Sequence, residues 1–279
     1  RGKSMRNLIS LLPDEQVTSL IPIDEFAEDR FLVMCTAHGV VKKTQLSAFA
    51  RPKKGGIVAV SLDEGDMLVG VRITDGKREL VMATKQGKAI RFPEETVRAM
   101  GRAARGVKGM VLEDGDTIVS LVVVGEDGPE LLTVCEVGHG KRTPIEDYRE
   151  TNRGGKGIIN IKTEGRNGEV VGVVAVRQTD QVMIITTSGK TIRVRAEEIP
   201  SIGRNTQGVR IIKVGEDERV VAVAKVVAEE AEAEVTADKP AKPVSAAPAK
   251  AAADDVADDV ADEEPADEGD DAADDAADE

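Results

Sequence analysis

The chain has 279 residues, a formal net charge of −13, two cysteines, no tryptophan, one tyrosine and four phenylalanines. Two cysteines exclude a disulfide scaffold in so long a chain and fit a reducing compartment, no apolar run reaches the ~18–20 residues of a membrane helix, no secretory signal is visible, and the scarcity of rings leaves no platform for stacking single-stranded bases. The negative charge does not exclude a polyanionic partner, because 20 acidic residues and only three lysines follow residue 227, leaving 35 basic and 31 acidic side chains before it.

In chain order, Arg1-Gly2-Lys3 and Asn7-Leu8-Ile9 read as the end of a repeat unit, and the chain as a fragment of a longer protein. Four full units follow, at 17–62, 67–112, 117–163 and 170–214. Two glycine markers set their register. The first is Gly39, Gly87, Gly138 and Gly189, at steps of 48, 51 and 51; the second is Gly56, Gly106, Gly157 and Gly208, at steps of 50, 51 and 51. A fixed period of this size signals a modular array whose units complete one another's cores.

Within a unit the apolar pattern breaks into four short β-branched runs, which is a strand reading. The second unit gives 67–73, 80–84, 88–92 and 107–112; the third gives 117–124, 131–135, 141–143 and 158–162; the fourth gives 170–176, 182–187, 191–194 and 209–214. Turn chemistry separates them, as at Asp63-Glu64-Gly65-Asp66, Glu113-Asp114-Gly115-Asp116 and Arg166-Asn167-Gly168-Glu169. Residues 219–227 supply one more first strand. The expected fold is all-β, a propeller-like array of four-stranded blades about 50 residues each, spanning 1–227. Residues 228–250 have a linker composition, and 251–279, built on Ala-Asp-Asp, are expected to be disordered.

Charge is segregated inside each unit. The segments from the first marker to the end of the second hold 21 basic and seven acidic residues. The candidate phosphate contacts are Lys42, Lys43, Arg51, Lys53 and Lys54 in the first unit and Lys88, Arg91, Arg102, Arg105 and Lys108 in the second. They continue with Lys141, Arg142, Arg153 and Lys156 in the third and Lys190, Arg193, Arg204 and Arg210 in the fourth. Glycine beside Lys or Arg lets backbone N–H groups approach a phosphate. With no basic recognition helix, the expected partner is duplex DNA held by charge and bendability, without sequence readout. The acidic tail is a tethered polyanion that would compete for the same surface.

Other constellations read as structural. Tyr148 falls where the other units have Phe49, Val97 and Ile199, a packing position and not a nucleophile. Cys35/His38 and Cys135/His139 carry zinc-ligand types, but units one and three are kept apart in a radial array, so no metal site is expected. No phosphate loop of the ATPase kind and no catalytic cluster is present.

The runs Gly101 to Gly109, Gly138-His139-Gly140-Lys141-Arg142-Thr143, Arg166-Asn167-Gly168 and Gly203-Arg204-Asn205-Thr206-Gln207-Gly208-Val209 resemble the C-terminal domain of DNA gyrase A, over about residues 1–227. The resemblance implies a six-bladed β-pinwheel whose blades exchange strands. It also implies duplex wrapping on behalf of a bacterial, cytoplasmic, ATP-dependent type II topoisomerase that introduces negative supercoils. The gyrase B protein and the rest of gyrase A would complete an A2B2 holoenzyme using ATP and magnesium, with no cofactor in these residues. The family's box Gln-Arg-Arg-Gly-Gly-Lys-Gly is echoed by Arg153–Gly157, but Thr151-Asn152 stand at its first two positions. The box itself, the active-site tyrosine and the breakage-reunion domain belong upstream. The corresponding domain of topoisomerase IV, which lacks the box, is the nearest alternative, and a propeller binding an acidic protein is a more distant one.

Overall fold

The computed structural model describes residues 9, 11, 15–53, 55–125 and 128–226. The expected N-terminal strand end at residues 1–8, the linker and the acidic tail lie outside the described residues, as does Lys54. Fifteen strands are present among the described residues: β1 Phe31–Thr36, β2 Val40–Gln45, β3 Leu68–Thr74, β4 Glu79–Thr84, β5 Lys88–Pro93, β6 Val107–Lys108, β7 Ile118–Val123, β8 Glu130–Cys135, β9 His139–Pro144, β10 Ile158–Ile159, β11 Val170–Val176, β12 Gln181–Thr186, β13 Thr191–Arg195, β14 Val209–Arg210 and β15 Val220–Val226.

They form four antiparallel sheets arranged like propeller blades. The first has the order β3-β1-β2-β6, the second β7-β4-β5-β10, the third β11-β8-β9-β14 and the fourth β15-β12-β13. Every sheet is therefore built on a hairpin from one repeat, and its flanking strands come from the repeat that follows. The second, third and fourth units read from the sequence each divide between two sheets, which is the strand exchange the resemblance implies. The described residues hold four blades where the resemblance implies six.

The same rule explains a gap in the first unit. Residues 15–30 and 55–67 carry no strand, although the matching parts of later units do. First and last strands need the hairpin of a preceding unit, and none precedes β1 among the described residues.

β3, β7, β11 and β15 pack against one another in that order. The core lies between successive sheets. Val33, Cys35 and Val41 of the first meet Leu80, Met82 and Phe92 of the second; Val81 and Ala83 of the second meet Leu131 and Val173 of the third; Leu132 and Val134 meet Val182 and Ile184 of the fourth. Because each strand shows alternate side chains to opposite faces, a central hairpin feeds two cores, and its strands read as nearly unbroken apolar runs.

The last strands of the units are two residues long, shorter than the runs expected at 107–112, 158–162 and 209–214. Beyond them the chain turns around the hairpin tip of the preceding unit. Gly87 O accepts both Asn160 N (2.8 Å) and Ile161 N (3.1 Å), and Gly39 and Gly138 repeat the arrangement with Gly109/Met110 and Ile211/Ile212. Gly87 has φ +86°, and a Cβ there would stand 2.3 Å from Ile161 O. This crossing requires glycine, which accounts for the first marker at Gly39, Gly87 and Gly138, whereas a Cβ on Gly189 would meet nothing within 4 Å.

Candidate nucleic-acid interface

The basic segments lie along the outer side of the blades, away from the stacked strands β3, β7, β11 and β15. There the loop ending each unit is laid on the hairpin of the preceding one. Met100 N donates to Lys43 O (2.9 Å), Thr151 N to Arg91 O (2.9 Å) and Ile202 N to Arg142 O (2.8 Å), so three loops dock at one point of three successive hairpins. The short strands β6, β10 and β14 then pair with β2, β5 and β9.

The second-marker glycines serve this docking. A Cβ on Gly157 would stand 2.6 Å from Ala89 O, and one on Gly208 would stand 2.4 Å from Gly140 O. At Gly106, Gly157 and Gly208 the expectation that the glycine opens backbone N–H groups to phosphate is corrected, since they face the preceding hairpin, while a Cβ on Gly56 would meet nothing within 4 Å.

Burial divides the candidate cations into two sets. Lys42, Lys43, Lys141 and Arg142 are buried, and all four are corrected from surface contacts to interior groups. Lys42 Nζ donates to Ala59 O (2.6 Å) and to Arg102 O. Lys141 Nζ donates to Gly203 O (2.6 Å), Arg204 O (2.5 Å) and Thr206 Oγ1 (3.2 Å). Loss of hydration lowers both lysines, Lys141 to a pKa of about 8. Lys43 Nζ donates to Glu94 O (3.1 Å) and lies 5.1 Å from the centre of the Phe31 ring. Arg142 pairs with Glu130 and donates from Nε to Ile199 O (2.6 Å). Arg91, half-buried, is engaged in the same way, by Glu79 (2.7 Å) and the carbonyls of Ile145 (3.0 Å) and Tyr148 (3.1 Å). These side chains tie each blade to the turn that follows the next hairpin.

Arg51, Lys53, Lys108, Lys156, Arg193 and Arg210 are exposed. Lys88 and Arg105 form ion pairs with Glu113 and Asp63, and Lys190 with Glu218 at 3.0 Å. Arg102, Arg153 and Arg204 are half-buried on the docked loops. Arg153 donates to Thr96 O (2.9 Å) and Lys108 O (3.0 Å), and Arg204 to Ile159 O (2.8 Å). Lys108 and Ile159 are themselves one period apart, so the contact repeats.

Residues 51, 102, 153 and 204 are all arginine, at steps of 51. The same step joins Arg98 to Arg149 and Lys162 to Lys213, four exposed cations missing from the candidate set. Counting the period from every basic residue, and not only from glycines, finds them. Arg149, Asn152 and Lys156 line a concavity of about 190 Å³ against β5.

The residues considered for other chemistry are interior, except His38, which is exposed. Cys35 and Cys135 are free and buried, and burial pushes both thiols up to about 12. The Tyr148 hydroxyl donates to Asn160 Oδ1 (2.5 Å), whose amide donates to Thr133 Oγ1 (3.0 Å), and burial raises its pKa. Among the described residues no three His, Cys, Asp or Glu groups come together as metal ligands, and no helix is long and apolar enough to cross a membrane.

Comparison with known proteins agrees with this architecture. A family model described as DNA gyrase C-terminal domain, beta-propeller, matches residues 30–75, 78–125, 138–177 and 180–226. The A subunit of DNA gyrase from Escherichia coli (strain K12) is 46% identical over 226 residues, covering 81% of this chain and 26% of that protein. Its counterpart from Salmonella typhimurium is 45% identical, and the chain likewise spans 26% of its length. The structure of a DNA gyrase A C-terminal domain superposes with a TM-score of 0.73 at 26% identity, covering 81% of this chain and 75% of that one. The C-terminal domain of a DNA topoisomerase IV gives 0.76 at 27% identity, covering 82% and 71%. With four repeats matched to four hairpin-centred blades, the chain belongs to the DNA gyrase C-terminal domain, beta-propeller family.

Proposed function

We propose that the outer side of this domain binds the backbone of duplex DNA and holds it along a curve, as the wrapping part of a bacterial DNA gyrase. The observation that carries this reading is the arginine at 51, 102, 153 and 204, set on corresponding loops with exposed Lys53, Lys108, Lys156 and Arg210 beside them. Cations repeated from blade to blade suit a long polyanion better than a small ligand. They neutralise phosphates and release counterions, a term indifferent to base sequence. Bending a 20–30 base-pair site by 40–90° costs on the order of 1–6 kcal/mol, so contacts from several blades must act together. Strand cleavage, ATP hydrolysis with magnesium, and assembly with the gyrase B protein in an A2B2 enzyme are assigned to the rest of that enzyme, in the bacterial cytoplasm.

Likeness to a topoisomerase IV C-terminal domain supports a second reading, in which the same surface holds DNA without a wrap of fixed hand. Both readings share one test. Binding to duplexes of unrelated sequence should weaken with salt at a logarithmic slope of about −0.9 per phosphate engaged. Lys156→Ala should flatten that slope by about one contact and weaken all sequences equally. A slope near zero, or a change in sequence preference, would contradict phosphate binding.

A further inference from the structure

Two of the four buried cations point at the loops themselves. Lys42 and Lys141 both stand three residues after the hairpin glycine, where β5 has Ile90 and the fourth unit has Ile192. Both are almost wholly buried, at 1% and 0% exposure. Neither has a carboxylate as its hydrogen-bonding partner. Their ammonium groups are satisfied by neutral loop oxygens, for Lys42 the carbonyls of Ala59 in its own unit and Arg102 in the following one, and for Lys141 Gly203 O, Arg204 O and the Thr206 hydroxyl of the following unit. A buried ammonium left without such acceptors is strongly disfavoured, so the loop is held wherever the lysine is charged.

The intervening loop is held differently. A Cβ added at Gly155 would stand 3.5 Å from Ile90 Cδ1, and Arg153 fixes its own loop through Thr96 O and Lys108 O, with Gly154 N on Gly109 O (2.6 Å). The loop at 153–157 thus relies on its arginine with no lysine beneath it, whereas the loop at 203–207 has both Lys141 beneath it and Arg204 donating to Ile159 O.

We propose that Lys42 and Lys141 are positioning residues for the DNA-binding loops, each holding the backbone at Arg102 or Arg204 so that the arginine stays on the outer side of the blades. This rests on the phosphate-binding reading above. It gives the two lysines, whose spacing suggests direct contact, an indirect role.

The test is a double-mutant cycle in the full chain with Lys141→Met, which keeps the bulk of the stem and removes the donor, and Arg204→Ala. Amide hydrogen exchange of residues 203–207, urea unfolding and DNA affinity as a function of salt are measured for each variant. Lys141→Met should remain folded, lose amide protection at residues 203–207, and weaken DNA binding roughly three- to tenfold with a salt slope flatter by about one contact. Arg204→Ala should show the same affinity and slope, and the double variant should be no worse than either single one. Losses that multiply, or protection retained in Lys141→Met, would overturn the positioning role. If Arg204→Ala leaves DNA affinity unchanged, phosphate binding by this loop fails, while the exchange at residues 203–207 still decides whether Lys141 orders it. Should Lys141→Met not fold, Lys42→Met with exchange at residues 101–105 and Arg102→Ala gives the same cycle in the first blade.

Discussion

At the scale of single residues, a buried cation and an exposed one answer different physical demands. Arg142 and Glu130 are charged groups with little access to water, and each is also hydrogen-bonded elsewhere, Arg142 to Ile199 O and Glu130 to the Ser201 hydroxyl (2.5 Å). Arg142→Ala leaves the carboxylate behind without its partner and should cost about 3–5 kcal/mol in urea unfolding. Lys156→Ala, on the surface, should stay within about 0.5 kcal/mol while weakening DNA binding. The thiols give a separate check. With both pKa values pushed up to about 12 by burial, Cys35 and Cys135 should resist iodoacetamide at pH 8 in the native protein and react once it is unfolded. Composition and spacing made most of the basic set legible, though not Arg98, Arg149, Lys162 and Lys213, and could not separate these two kinds of cation. Lys42 and Lys141 sit in the strands β2 and β9, and whether a strand lysine reaches solvent depends on the loop laid over it, which comes from another unit.

At the scale of elements, hairpins and their tips were the most legible parts of the sequence. The expected runs at 80–84 and 88–92 are β4 and β5 with only their ends moved, because β-branched alternation and a glycine tip are local signals. Which sheet accepts the flanking strands is not a local property. Residues 68–74 present the same apolar pattern beside either neighbour, and only the tertiary register, Val33 opposite Arg72 and Met34 opposite Val71, settles it. The tip glycine is the feature on which this exchange depends. Gly87→Ala combines a left-handed φ with a Cβ 2.3 Å from Ile161 O and should destabilise the protein by more than about 1 kcal/mol. Gly101→Ala, with nothing within 4 Å of the added Cβ, is the control and should be nearly neutral. The last hairpin adds a pH-dependent element. Glu218 accepts hydrogen bonds from Ser188, Thr186 (2.6 Å), Lys190 (3.0 Å) and Gly215 N (3.3 Å), which together hold its carboxyl down at about 2. A carboxyl depressed in the folded state stabilises it fully above the ordinary value of 4.5 and ceases to do so as pH falls towards 2. Glu218→Gln should therefore be less stable than the parent at pH 6, with the difference shrinking across that window in urea melts recorded from pH 6 to pH 2.

At the scale of the whole molecule, the formal charge of −13 describes no part of the surface. The arrangement of cations does: the exchanged strands carry each unit's basic loop onto its neighbour's hairpin, so the 51-residue period becomes a row of cations along the outer side of successive blades. The architecture and the existence of that row followed from the sequence, because both are properties of a period. The composition of the row did not, because it depends on which side chains the next blade covers. The claim that ties these levels together is that the row bends DNA as well as holding it, and ligation of a nicked circular plasmid in the presence of the chain tests it most directly. After removal of the protein, the linking number should be displaced in one direction, growing with protein concentration and abolished by salt that releases the DNA. An unchanged linking number under conditions where binding is saturated would show that the blades hold the duplex without wrapping it, and would contradict the account.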